Sequence, residues 1–177
     1  MKLAVLGITA AFLVAGCGGT KTVTKTVTVT KDATAKTGVG APSEQVEFGF
    51  IKSLKPNGNA FVLKFDPALL LSGVTANVTQ AEDQGTTCEP SACPPVANDN
   101  YVLNESHRLL TYIVPANARV TALTTGVTGT RITVAQLSGI VSGKNPLGHP
   151  LWEKLDTGVW IRVHIDTVRS IDQQYHP

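Results

Sequence analysis

The chain has 177 residues, a formal net charge of +2 and 42% hydrophobic residues. Such a length holds one domain with a real core. The charge balance gives no basis for nucleic-acid binding, which requires Lys and Arg gathered on a folded face.

Lys2 precedes an apolar run over residues 3–14, which closes on the small residues Ala15 and Gly16 and then on Cys17. A short basic start, a brief hydrophobic segment and small residues form the pattern of a secretory signal. A membrane-spanning helix needs about 20 apolar residues, and this run stops well short of that. The stretch Leu13-Val14-Ala15-Gly16-Cys17 resembles the lipobox of bacterial lipoproteins. The resemblance implies that residues 1–16 are a signal peptide and that Cys17 becomes the first mature residue with a diacylglyceryl group on its thiol. It places the protein on the outer face of the cytoplasmic membrane. Each buried methylene of the two chains contributes about 0.8 kcal/mol, enough for a stable anchor where a single chain would hold only reversibly.

Residues 17–43 carry the anchor cysteine and a Thr/Val/Lys-rich tether, in which Lys21, Lys25, Lys31 and Lys36 interrupt alternating β-branched residues. The run has no turn signal and too few large apolar groups for a core, so a flexible leash is expected. About 25 such residues span roughly 28 Å root-mean-square.

Residues 44–177 form a single β-rich globular domain. Val46, Phe48 and Phe50 share one face of a first strand, Asn57-Gly58 supplies a turn, and Phe61, Leu63 and Phe65 share one face of the return strand. Asp66-Pro67 reads as the N-cap and first residue of a short helix ended by Gly73, and residues 75–84 read as a second. A Pro/Ser/Asn-rich loop follows, containing Cys88 and Cys93. Outside the cytosol a disulfide is the expected product, contributing about 2 kcal/mol through so small a ring. A metal is disfavoured, because two thiolates have no neighbouring His or Cys to complete a set.

Strands are expected over residues 101–103 and 109–114, joined through Asn104-Glu105-Ser106, and over 118–124. Thr133 with Gln136 makes a capping box, Ile132 and Leu137 a hydrophobic staple, and Gly143 a C-terminal stop, which predicts a helix over 134–142. Perfect alternation then predicts a half-buried strand with Val159, Ile161, Val163 and Ile165 inward, followed by a short strand over 168–171.

The sum is a mainly β (α+β) fold, a small antiparallel sheet or partly closed barrel with two or three short helices. A helix inserted among hairpin-connected strands resembles the oligonucleotide/oligosaccharide-binding barrel, a likeness of fold that carries no function. Residues 96–106, with the ending Asp172-Gln173-Gln174-Tyr175-His176-Pro177, also resemble segments of uncharacterised secreted or lipid-anchored bacterial proteins that bring no assigned activity.

The outward face of the strand before the last places Trp160, Arg162 and His164 in a row, with Asp166 beyond them. An aromatic plate, a guanidinium and an imidazole together suit a sugar or an anionic wall polymer. The competing reading is that Trp160 covers a loop while the others face solvent. Asn98, Asp99, Asn100, Asn104 and Glu105 gather calcium-type oxygens, but they lack the spacing of a calcium loop and suit turns equally well. Residues 138–145 depart from a P-loop at both diagnostic positions, and no nucleophile-elbow, Ser-x-x-Lys or zincin motif is present. The other histidines, His107, His149 and His176, are scattered.

These residues point to a cell-envelope lipoprotein with a non-enzymatic extracytoplasmic binding or structural domain. It would need no metal or cofactor, and its partners would be the membrane and a cell-wall polymer or envelope protein. The alternative is a surface hydrolase using His164 and Asp166.

Overall fold

The computed structural model describes residues 43–106 and 108–176, so the expected signal, Cys17 and nearly all of the tether lie outside the described residues. The elements are β1 (Gln45–Asn57), β2 (Ala60–Ser72), α1 (Gly73–Asp83), β3 (Asn100–Leu103), β4 (Leu110–Pro115), β5 (Arg119–Ala122), β6 (Thr130–Ile132), α2 (Val134–Val141), β7 (Val159–His164) and β8 (Thr167–Gln173).

Five strands close a barrel in the order β1-β2-β4-β8-β7 and back to β1. Four of the joints are antiparallel, and the fifth, β4 to β8, is parallel at Ile113 and Thr167. Helix α2 is inserted between β4 and β7, so the domain is a closed five-stranded barrel of a small α+β fold. β5 extends the sheet beyond β8 and carries β6 on its far side. The short β6, with only three residues, had no legible strand period of its own.

The barrel interior is filled by Leu54, Leu63, Phe65, Val114, Ile161, Val163, Val168 and Ile171. Phe61, Leu63 and Phe65 therefore share a face that turns inward or packs against the core, as their spacing predicts. At the start of β1, over residues 46–50, the inward face is the less apolar one. Gly49 abuts Phe65 and the Glu47 carboxylate meets Tyr112, while Val46, Phe48 and Phe50 lie on the outside. Helix α2 packs Val134 and Leu137 into the core. Its capping box is complete, and the buried Ser138 hydroxyl donates to the Leu54 carbonyl at 2.7 Å. The faint P-loop likeness at residues 138–145 is thus helix and helix end.

Two expectations are corrected. Asp66 and Pro67 belong to β2, which runs to Ser72, and the helix begins only at Gly73. Residues 66–68 lie between the rows paired with β4 and β3 and have a partner strand on one side only, which is where a proline is tolerated. The strands expected on either side of Asn104-Glu105-Ser106 are present as β3 and β4, and both pair with β2, in succession. Ile165, expected inward, is 67% exposed, because the chain turns there with a positive φ of 61°.

The second predicted helix is α1, tied to β3 by a hydrogen bond from the Tyr101 hydroxyl to the Asp83 carboxylate. Cys88 and Cys93 are joined as a disulfide in the loop that follows.

Candidate functional site

The predicted row on β7 is present, but packing uses one end of it. The Trp160 ring lies 5.1 Å from that of Phe48, and its Nε1 donates to Gln174 Oε1 at 2.7 Å. Phe48 is buried under Gly158, where a side chain would collide with the ring and where φ is +97°. Arg162 is exposed, 3.8 Å from the Glu44 carboxylate. His164 is half-buried, and no hydrogen bond or ion pair among the described residues joins it to Asp166, whose carbonyl accepts from the Ile113 amide. None of Trp160, Arg162 and His164 lines the groove beside α2.

The polar cluster is turn chemistry. Asn98 and Asp99 adopt positive φ, the Asp99 carboxylate accepts from the Gly73 amide, and Asn100 Nδ2 donates to the Asn98 carbonyl. Asn104 is directed elsewhere, donating to Asp66 at 3.2 Å. Among the described residues no three His, Cys, Asp or Glu side chains gather as a metal group.

A concave site lies beside α2. It is a groove of about 660 Å³ with Phe50, Ile51 and Lys52 of β1 on one wall, Ile140 and Val141 of α2 on another, and Leu151, Trp152 and Leu155 on the third. Lys154 and Asp156 stand at its edge. The third wall is an irregular segment, yet it is held at several points. The Trp152 amide donates to the Leu123 carbonyl at 2.8 Å, Gln173 Nε2 donates to the Glu153 and Lys154 carbonyls, and the Thr157 hydroxyl donates to the Gln174 carbonyl. With its backbone fixed, Trp152 stays 62% exposed, an aromatic plate standing over an apolar floor.

Lys52 is bulged out of the β1 ladder, where the register shifts between Ile51 and Ser53. Its ammonium lies 3.0 Å from the buried Asp66 carboxylate and 5.6 Å from the centre of the Phe50 ring. The cation is thereby locked at the wall, so the groove presents an apolar body with a fixed charged edge.

Sequence reasoning missed every residue of this site. The one available signal was Trp152, a large aromatic in an otherwise Gly/Pro/Lys-rich connection.

A part-buried polar pair joins β1 and β4, where the Tyr112 hydroxyl donates to both oxygens of Glu47 at 3.0 and 2.9 Å. Burial pushes the Tyr112 phenol well above its ordinary value of 10.0, and the Glu47 hydrogen bond and charge push it further the same way. A raised folded pKa stabilises the fold fully below the unfolded value and progressively less above it. Wild-type melting temperature is therefore expected to fall above about pH 10, and Tyr112→Phe should show a shallower fall. Parallel alkaline melts of the two proteins would refute this contribution.

No protein-family model, curated protein or solved structure matches the chain.

Proposed function

We propose that the protein is a cell-envelope lipoprotein whose barrel is a non-enzymatic binding domain, held at the outer face of the membrane through Cys17. The groove beside α2 takes the apolar or aromatic-faced part of an extracytoplasmic ligand, with Lys154 and Asp156 meeting polar groups at its mouth. The observation that carries this reading is an exposed Trp152, its backbone tied to Leu123, lining an apolar groove. Concave, mostly apolar sites with a few polar groups are the usual form of a ligand pocket. A cell-wall polymer fragment or a segment of an envelope protein fits that description, and no cofactor is required.

Binding is tested first with a fluorescent apolar probe and then with peptidoglycan fragments. Trp152→Ala should weaken both by about tenfold, in line with the loss of a central aromatic contact. Trp160→Ala, which alters a residue outside the groove lining, should leave affinity per folded molecule unchanged. Equal affinity of wild type and Trp152→Ala would remove the groove from the reading.

A further inference from the structure

The β7–β8 turn carries an aliphatic side chain that the fold does not use. Ile165 is 67% exposed and has a positive φ. A β-branched residue in the left-handed region is strained, and glycine there would not be. Ile113 lies alongside, 40% exposed, with its amide donating to the Asp166 carbonyl and its backbone paired with Thr167. Val46, 51% exposed, stands opposite Arg162 in the β1–β7 ladder. The chain also enters the barrel at this end, since Gln45 pairs with Val163. Two exposed guanidiniums flank the turn, Arg162 and the bulged Arg169, together with His164. The carboxylates here are Asp166 and Glu44, and Glu44 is paired with Arg162.

We infer that this end of the barrel docks on an anionic phospholipid surface, with Ile165 and Ile113 entering the interfacial layer and the arginines facing lipid phosphates. The inference rests on the proposed acylation of Cys17. An acyl anchor at Cys17, on the same chain that enters the barrel at Gln45, keeps the body at a high effective concentration over the bilayer. Weak contacts that would not hold a free protein then suffice, with aliphatic groups at the interface and basic groups above an anionic leaflet. The groove beside α2 shares none of these residues and would remain available to its ligand.

The test uses the full chain coupled through the Cys17 thiol to a maleimide lipid, with the Cys88–Cys93 disulfide intact. Hydrogen exchange is read by mass spectrometry on vesicles of phosphatidylglycerol with phosphatidylcholine, and on phosphatidylcholine alone. Exchange at residues 163–168 should slow several-fold on the anionic vesicles, while α1, beyond the other end of β2, stays unchanged. Ile165→Asp should abolish the slowing. Equal exchange on both vesicles, or slowing retained by Ile165→Asp, overturns the inference. Slowing that grows with protein surface density on neutral vesicles would indicate a second copy as the partner, and likewise overturns it. Because the coupling is chemical, protection seen here while cells leave Cys17 bare would uphold docking and refute only the natural anchor.

Discussion

Gly49→Ala is expected to lower stability by about 3 kcal/mol or more and the melting temperature by roughly 10 °C, although it adds a single methyl group. Gly49 sits on the inward face of β1, where a Cβ would stand 2.2 Å from the Asp66 carbonyl oxygen and 2.9 Å from both Phe65 Cζ and Pro67 Cα. Two of those three atoms are backbone of the paired strand, so a change of rotamer cannot relieve the collision. β1 and β2 would have to separate in the stretch that also carries the Lys52–Asp66 ion pair. Phe65→Leu in the Gly49→Ala background removes the ring contact and leaves the carbonyl contact, so it should not restore stability. Thermal melts of the two single variants and the double variant decide this. A Gly49→Ala protein melting within about 1 °C of wild type would contradict the close approach of the strands.

Phe65→Ala carries the second large effect, an expected loss of about 3–5 kcal/mol. Phe65 is wholly buried, its ring centre lies 6.3 Å from that of Tyr112, and it packs beneath Gly49 at the middle of the barrel. The strands around it are closed on one another through five joints, so they cannot easily collapse into the space left behind. The cost should appear as a lower urea midpoint with an unchanged slope. A loss below about 1 kcal/mol would mean that the barrel centre is not filled as described.

The parts of the fold legible in the sequence were those specified locally. Asn57-Gly58 marks the β1–β2 turn, and the reciprocal bonds of Thr133 and Gln136 mark the start of α2, so neither needed knowledge of a distant partner. Alternation also separated the two faces of β1, β2 and β7. It could not say which face of β1 was inside. The more hydrophobic face, Val46, Phe48 and Phe50, is the outer one, because Trp160 and the chain at Gly158 cover Phe48 while the groove exposes Phe50. The inner face carries Glu47 and Gly49, chosen by the Tyr112 hydroxyl and by close strand packing.

The candidate site was hidden for the same reason. Its walls come from β1, α2 and an irregular segment near residue 152, and only the closed barrel brings them together. The row Trp160, Arg162 and His164 was correctly placed on one strand face, but the sequence could not reveal that Phe48 and Gln174 already occupy Trp160. The continuation of β2 beyond Pro67 depends on β3, whose pairing is a tertiary event. Ile165 extended the alternation of β7 by one residue past the point where the backbone turns.

The proposed envelope role and the docking of the barrel end both depend on the chemistry of one thiol. Intact-mass and peptide mass spectrometry on the protein from a membrane fraction reads it directly. The expected result is a polypeptide beginning at Cys17 and carrying a diacylglyceryl group, with Cys17→Ser lost from that fraction. A chain that retains Met1, bears no lipid and is recovered in the soluble fraction would contradict it.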